Sequence, residues 1–491
     1  MSTNLNVSPQ TATRPAGRRF QLRPRARLRS VAAPLSSRYA KAIVAAFACL
    51  ALMLVWNVAH YPAGVSPDAQ DHFHYTDTLR HQHHLPTPEK RSGGESTGQW
   101  YNPPVFYVAA AAIETATDKV ASAAGLSKNA DRNHKAVQLF DVLLALGVAL
   151  LAFLTARELF PRSKIAQVAV LAFLALSPAF VRTAITYHGQ MLATLFSTAA
   201  LYVVIRALVR HQVTVKAGLG AGVLLALGML TRQFVLATVI ALLAALGAYY
   251  LFTKRRDALR MAGAMVLSLV VLTSPWYIHQ QVKYDNALIN SVTKPDKPFF
   301  SRQPSSFYFG KPRTAVFTQP YRPTFDNRFP QVLYADWWGD YFLHFDVPPK
   351  VRLAQGAHGG RLPSQYHNER VRQSYVGLLP TLLILAGLVG LIRYGIRQRA
   401  AHMLAVPLLV GAVAVEAFWV YIGYPTSDGD FMKATYLLTA LPPVAFAVGW
   451  VLMRLRERGG AAFAVVVGAL GVAAAVDIPF VVLHHMVGRG V

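Results

Sequence analysis

Two aspartates in one polar stretch are the first residues that could do chemistry. Asp68 and Asp71 follow an apolar segment that is long enough to cross a bilayer. A carboxylate in such a loop can take a proton from a hydroxyl group and so act as a general base. Both aspartates could equally be solvated loop carboxylates, so their catalytic role depends on what surrounds them.

Histidines in the same stretch raise the question of a metal ion. Their order matches no recognised zinc spacing, and we therefore predict no metal ligands, with a divalent ion as the open alternative. The histidines are His72, His74, His81, His83 and His84.

Two basic residues are candidates for binding a phosphate. Arg232 separates two apolar runs, and an arginine in such a place is costly unless it is paired or functional. A guanidinium group also matches a phosphate with two hydrogen bonds. Lys433 precedes another apolar run and is the second candidate. Both side chains could instead reach to the membrane interface, and Asp428 or Asp430 could pair with Lys433.

The composition is that of a membrane protein. Hydrophobic residues make up 54% of the 491 residues and charged residues only 15%, whereas soluble chains carry about a quarter charged residues. The net charge is +26, but many Lys and Arg residues form short clusters between apolar runs instead of one basic patch. We therefore expect a lipid bilayer as the environment and no nucleic acid as a partner. The only cysteine, Cys49, can form no internal disulfide.

The apolar runs predict an all-α polytopic fold with about eleven transmembrane helices. Short basic loops alternate with the long polar loops 60–135 and 280–374, which predicts a cytoplasmic N-terminus and places both long loops outside. Pro103–Thr115 is apolar but too short to span, so we expect an interfacial or re-entrant helix there. The predicted spans lie near 42–59, 136–156, 165–182, 190–208, 217–231, 233–252, 261–279, 375–392, 402–422, 434–453 and 461–483.

The same pattern divides the chain into four parts. The first is basic and rich in Pro and Ser, as disordered cytoplasmic tails are. The third is long and rich in aromatic residues, so we expect a partly folded cap over the outer end of the bundle. The parts are the tail 1–40, an N-terminal transmembrane catalytic module 41–279, the cap loop 280–374 and the C-terminal helices 375–491.

A series of short motifs carries a family resemblance. In the first outer loop they are Pro67-Asp68-Ala69-Gln70-Asp71-His72-Phe73-His74-Tyr75, Leu85-Pro86 and Asn102-Pro103-Pro104-Val105-Phe106-Tyr107. Later in the chain they are Ser274-Pro275-Trp276-Tyr277, Tyr284-Asp285-Asn286-Ala287-Leu288, Tyr334-Ala335-Asp336-Trp337-Trp338-Gly339, and Lys433-Ala434-Thr435-Tyr436-Leu437-Leu438 before Leu441-Pro442-Pro443. In order and spacing the chain resembles the glycosyltransferase C superfamily, in its bacterial branch of ArnT-like and protein-mannosyltransferase-like enzymes.

The resemblance implies an enzyme that takes a hexose or pentose from a polyprenyl-phosphate carrier. The acceptor would be a cell-envelope glycan, lipid or protein on the outer face of a bacterial inner or plasma membrane. It implies an inverting single displacement with Asp68 as the base, since Asp68 aligns with the family aspartate, and Asp71 as second choice. Three parts of the chain depart from the family pattern. Ala69 replaces a glutamate, Asn102 replaces a glutamine, and Tyr187-His188-Gly189-Gln190 stands where the family has Asn-Asp or Asn-Glu.

The resemblance and the residue types together complete the predicted site. Arg232 and Lys433 would bind the donor phosphate. Four further residues are expected to line the substrate site: His72, His188, Gln190 and Tyr107. Two other functions stay open. A transporter or flippase for a lipid-linked substrate would place ionisable residues near the bilayer midplane, whereas here they concentrate at helix ends and in loops. A non-catalytic relative that only binds the carrier is consistent with the loss of the glutamate at Ala69.

Overall fold

The protein is described here by a computed structural model. It describes residues 38–66, 68–87, 97–288, 314–322, 329–352, 362–423 and 433–484, and every regular element within these ranges is helical. The predicted all-α fold class is thus confirmed. In chain order the α-helices are α1 Arg38–His60, α2 Ala69–Asp77, α3 Val105–Ala123, α4 Ala130–Leu159, α5 Lys164–Ala175, α6 Pro178–Ala184, α7 Gln190–Val209, α8 Val215–Met229, α9 Leu236–Thr253, α10 Asp257–Tyr284, α11 Ala315–Thr318, α12 Phe329–Trp338, α13 Ser364–Val376, α14 Leu378–Arg397, α15 Ala401–Gly423, α16 Leu441–Arg458 and α17 Gly460–Val481. Short 3₁₀ segments lie at Ala63–Val65, Gln233–Val235 and Ala434–Ala440, and a π-helical turn lies at Thr78–Gln82.

The number of membrane-spanning helices differs from the prediction. Among the described residues, nine segments are long and apolar enough to cross a membrane, and the bent pair α5 and α6 makes a tenth. The two helices of the pair meet at 60°, because Pro178 at the start of α6 lacks the N–H that a continuous helix needs. The remaining predicted span, 217–231, corresponds to α8, whose 15 residues fall short of the roughly 20 that a span requires. The count of eleven is therefore not confirmed.

Several helices begin where the sequence supplies a capping side chain. Asn129, Ser163 and Thr214 each accept a hydrogen bond from a backbone N–H of the following first turn, at 3.1–3.2 Å. A side-chain oxygen in this position satisfies one of the amide groups that the helix itself leaves without a partner. These caps fix the starts of α4, α5 and α8.

Close packing of α8 against α10 depends on two glycines. A Cβ added at Gly218 would lie 2.3 Å from the carbonyl oxygen of Met261, and one at Gly222 would lie 2.0 Å from Oγ of Ser268. Small residues of this kind let membrane helices approach each other closely. Since the chain leaves α8 just before Arg232, this packing also fixes the position of that residue.

The outer loops are partly helical, as predicted. The interfacial helix expected over Pro103–Thr115 is observed as α3, and the described part of the cap contains α11, α12 and α13. Helix α12 packs against α6 and the segment Ala434–Ala440. The predicted cap residues 299–309 and all but the last three residues of the predicted tail 1–40 lie outside the described residues.

Candidate functional site

Asp68 lies at the start of α2 in an unusual backbone conformation. Its φ is +59°, in the left-handed region that non-glycine residues rarely adopt. Strain of this kind, of order 1–3 kcal/mol, persists only where the surroundings enforce it and is common at functional sites. Oδ2 of Asp68 lies 2.6 Å from Nζ of Lys433, and 41% of the Asp68 side chain is exposed. The pair joins the start of α2 to the chain just before Ala434–Ala440.

The charge on Asp68 is held by its basic neighbours. Partial burial by itself raises the pKa of the carboxyl, but the charge and hydrogen bond of Lys433 outweigh it, and the net pKa is lowered. His72 and Arg232 add to the lowering. Asp68 is therefore a carboxylate at neutral pH, but one whose basicity is reduced as long as Lys433 stays in contact.

His72 is a neutral, buried neighbour of this pair. Its Nδ1 lies 2.8 Å from the hydroxyl of Tyr107, and its ring meets that of His188 edge-on with centroids 4.9 Å apart. Burial, together with the charge of Arg232, lowers the pKa of His72 to about 3. Within the described part of the chain, Nε2 of His72 has no hydrogen-bond partner.

Arg232 is a buried cation that has only neutral partners among the described residues. Arg232 follows α8 with an extended backbone, and the residue is 7% exposed. Nη1 donates to Oδ1 of Asn102 at 2.8 Å, and Nη2 contacts Nε2 of His188. Nε has no partner in the described structure. Because a buried charge is costly without a counter-ion, the arrangement is prepared for an anion.

The contact between Arg232 and His188 can be exchanged easily. The backbone N–H of Gln190 approaches the other ring nitrogen of His188, Nδ1, at 3.1 Å. Burial and the nearby charge of Arg232 hold the pKa of His188 well below its usual value, so the ring is neutral. A neutral imidazole has a single acceptor nitrogen, and therefore only one of these two hydrogen bonds can be complete. An incoming anion would replace a weak partner of Arg232.

A large cavity opens beside these residues. Its volume is about 1240 Å³, and its polar end includes Asp68, Arg232 and Lys433. The cavity continues between α9 and α15, where its walls are mainly apolar and Glu416 is the exception. The apolar residues include Leu236, Ala237, Ile240, Ala412, Val415, Trp419 and Val420. Apolar walls with a few polar groups at one end suit a ligand that has a charged head and a hydrocarbon tail.

A second, smaller cavity lies on the other side of Lys433. It measures about 60 Å³ and shares Asp68, Phe342, His344 and Lys433 with the large one. The cap turn that carries Phe342 and His344 includes Leu343, whose φ of +59° is again left-handed. Burial, together with the charge of Arg352, lowers the pKa of His344 to about 4. This turn forms part of the wall of the site.

The structure brings most of the predicted site residues together, but not all of them. Contacts connect Asp68 with Lys433, Arg232 with His188, and His72 with Tyr107 and His188. Asp71 does not line the large cavity, but its Oδ1 accepts the backbone N–H of Gly98, which does, at 2.7 Å. The described residues that line the large cavity include none of the four predicted lining residues, His72, His188, Gln190 and Tyr107. His188 lines the small cavity, and Gln190 is fully buried. Asp428 and Asp430 lie outside the described residues.

Sequence reasoning missed some residues of the site. Asn102 was noted only as a departure from a motif, although it binds Arg232 and is itself 5% exposed. His344 had no local signal, because it reaches the site only through the fold of the cap. The candidate metal ligands that the described residues bring together are Asp346, Glu369 and His484, and none of these belongs to the histidine-rich stretch.

Comparison with known proteins gives one family match. Residues 124–279, about a third of the chain, match a family model described as dolichyl-phosphate-mannose-protein mannosyltransferase. Within this range the match confirms the predicted resemblance to the glycosyltransferase C superfamily. It includes His188 and Arg232 but not Asp68 or Lys433. No curated protein matches the chain.

Solved structures with a similar arrangement include those of two proteins. An oligosaccharyltransferase from Archaeoglobus fulgidus has 13% identity and a TM-score of 0.49, over 88% of this chain and 55% of that one. ArnT from Cupriavidus metallidurans has 16% identity; its apo structure gives a TM-score of 0.44 over 86% and 62% of the two chains. The ArnT structure bound to undecaprenyl phosphate gives 0.35 over 90% of each. The chain spans about half the length of the archaeal protein.

Proposed function

We propose that this protein is an integral-membrane glycosyltransferase that moves a monosaccharide from a polyprenyl-phosphate carrier to a hydroxyl group of a cell-envelope acceptor. The observation that carries the proposal is Arg232. It is a buried cation with neutral partners, at the polar end of a large cavity whose remaining walls are mainly apolar. The family match over residues 124–279 supports the same reaction class.

The donor phosphate would lie between Arg232 and Lys433. Both residues line the polar end of the large cavity, and a guanidinium with an ammonium group can bind the oxygens of a phosphodiester from two sides. The polyprenyl chain would follow the apolar walls between α9 and α15. In this pose the sugar lies next to Asp68, and His72, His188 and Tyr107 stand behind the phosphate site.

Asp68 would act as the general base. The acceptor oxygen attacks the anomeric carbon as its proton passes to Asp68, and the bond from that carbon to the phosphate oxygen breaks in the same step. The electron pair of the broken bond stays on the released polyprenyl phosphate, whose growing charge is stabilised by Arg232 and Lys433. A single displacement of this kind inverts the anomeric configuration.

Donor binding would also activate the base. Lys433 lies 2.6 Å from Asp68 and keeps the pKa of that carboxyl low. A phosphate placed beside Lys433 competes for the same ammonium group. As Lys433 turns towards the phosphate, Asp68 loses a charge partner and becomes a stronger base. The reaction would therefore begin only when a donor is present.

The arrangement favours an enzyme over a transporter. Asp68, Arg232 and Lys433 gather at one end of the large cavity, close to the outer loops, whereas Glu416 in α15 is the described acidic residue that lines it within a span. We place this end on the outer face of a bacterial inner or plasma membrane, with the N-terminus in the cytoplasm, because the short loops at the opposite end are basic. The acceptor would then belong to the cell envelope.

A transfer assay tests the proposal. Purified protein in lipid is given radiolabelled polyprenyl-phosphate sugars of several kinds together with envelope extract. Wild type is compared with Asp68→Asn and with the control Asp77→Asn, which changes a half-exposed aspartate of the same helix. We expect label to reach an acceptor with wild type and the control, and at least a hundredfold less with Asp68→Asn.

Two results would contradict this account in different ways. Full transfer by Asp68→Asn would show that another group is the base. Donor binding by wild type without transfer to any acceptor fraction would instead favour a non-catalytic relative that only binds the carrier.

A further inference from the structure

Asp336 holds the backbone at the residue after Lys433. It lies in α12 and is 2% exposed, and its Oδ2 accepts a 2.6 Å hydrogen bond from the backbone N–H of Ala434. Ala434 is the first residue of the 3₁₀ segment Ala434–Ala440, and Lys433 precedes it with an extended backbone. The buried carboxylate therefore fixes the point from which the Lys433 side chain extends.

Arg182 neutralises this carboxylate and connects it to the membrane helices. Nη1 of Arg182 lies 2.9 Å from Oδ1 of Asp336 and 3.2 Å from Oδ1 of Asp340. Arg182 belongs to α6, the second half of the bent helix pair. Because Asp336 already has an arginine partner, its effect on Lys433 is mainly geometric. The ion pair ties the cap and the site to the bend between α5 and α6.

The position of Asp336 separates it from the donor. Lys433 lines both cavities, whereas Asp336 lines only the small one. A donor in the large cavity would touch Lys433 on one side, and Asp336 would support the chain from the other. The neighbouring Asp340 shares Arg182 and the same burial, but its carboxylate binds the backbone N–H groups of His344 and Phe345, at 3.1 and 2.8 Å.

We infer that Asp336 is a positioning residue for Lys433. Together with Arg182 it sets the distance of the ammonium group from Asp68 and from the donor phosphate. This inference rests on the proposed function for the identity of the donor, but the positioning of Lys433 on Asp68 can be measured without any donor. It also gives a role to the motif Tyr334–Gly339, which the reaction itself does not use.

The first experiment measures how fast Lys433 is modified. Reductive dimethylation of the ligand-free protein in lipid is followed by mass spectrometry for wild type, Asp336→Ala, Ala434→Pro and the control Asp346→Ala. The control removes a buried carboxylate of the cap that lines neither cavity. Proline at the first position of a helix keeps the backbone shape but removes the N–H, and the extended Lys433 is compatible with a following proline. In both test variants Lys433 should be dimethylated several-fold faster than in wild type and in the control. Equal rates in all four proteins would overturn the inference.

The second experiment measures the Michaelis constant for the donor. Asp336→Ala should raise the Michaelis constant for the polyprenyl-phosphate sugar about tenfold, as loss of a hydrogen bond to a charged group does. On a Lys433→Met background the same change should have less than about a twofold effect, since Asp336 acts through Lys433. A tenfold effect that persists without Lys433 would refute the positioning role. The variants could also show faster dimethylation of Lys433 although wild type transfers no sugar. That result would support the positioning role and refute the proposed reaction.

Discussion

Replacing Arg232 with methionine should separate stability from function. Arg232 is 7% exposed, and its side-chain hydrogen bonds within the described residues go to Asn102 and His188. A buried charge without a counter-ion costs several kcal/mol of folding free energy. Removing Arg232, however, also leaves Oδ1 of the buried Asn102 without its donor, which costs about 1–3 kcal/mol. Methionine has a similar length and no charge. The free energy of unfolding should therefore stay unchanged or rise by about 1 kcal/mol.

Donor binding should change in the opposite direction. A phosphate loses two charge-assisted hydrogen bonds when the guanidinium is removed, about 3 kcal/mol or more together, which corresponds to about a hundredfold weaker binding. Thermal unfolding in detergent measures the first effect, and binding of undecaprenyl phosphate measures the second. A more stable protein that binds the lipid poorly is the combination expected of a residue kept for function.

Arg80 provides the matched control for this prediction. Like the side chain of Arg232, that of Arg80 is largely buried, with 10% of it exposed. Unlike Arg232, it contacts two carboxylates, at 2.7 Å from Glu114 and 2.5 Å from Asp118. Arg80→Met leaves these carboxylates without their partner and should lower the free energy of unfolding by about 3 kcal/mol. If Arg232→Met destabilises the protein as much as Arg80→Met does, the view of Arg232 as an unpaired cation held for an anion is wrong.

Three further predictions follow from the charges around the site and at the cap. Lys433→Met should move the acid limb of the pH profile of kcat/KM to higher pH, because Lys433 lowers the pKa of Asp68 and only the ionised base is active. An acid limb that stays in place would show that Asp68 is not the group that titrates there. Asp71→Asn should keep activity while Asp71→Ala loses it, since the asparagine oxygen can still accept the loop N–H that Asp71 binds; loss in both variants would instead make Asp71 a base. The hydrogen bond and charge of Asp346 raise the pKa of His484 from 6.5 to about 9. This pair stabilises the folded protein fully below pH 6.5, and the contribution is lost as the pH rises through about 9. His484→Gln should remove that fall in the thermal midpoint between pH 7 and 10, and an unchanged fall would exclude the pair as its cause.

The bundle could be predicted because each helix carries its own local signal. A long apolar run, a capping side chain and a basic loop all lie within about 25 residues of one another, and this is enough to predict a helix. The assignment of α8 as a span was the exception. The predicted span 217–231 has the same length as the helix, 15 residues. The helix was therefore located well, but it is shorter than the roughly 20 residues that a span requires.

The contacts inside the site could be predicted only in part. Arg232 gave a local signal, a charge between two apolar runs, and it lies buried at the polar end of the large cavity. The pair of Asp68 with Lys433 joins residues 365 positions apart, and no local pattern indicates which carboxylate meets that lysine. Asp71 shows the opposite difficulty, because a carboxylate that accepts a loop N–H looks in sequence like one that accepts a proton.

The most direct test of the account is a structure of the protein with bound undecaprenyl phosphate, determined in lipid by cryo-electron microscopy. We expect the phosphate between Arg232 and Lys433 with nitrogen–oxygen distances of about 2.8 Å, the lipid chain between α9 and α15, and Lys433 turned away from Asp68. A phosphate that contacts neither residue, or a lipid chain outside the large cavity while Lys433 stays on Asp68, would contradict the assignment of this cavity as the donor site.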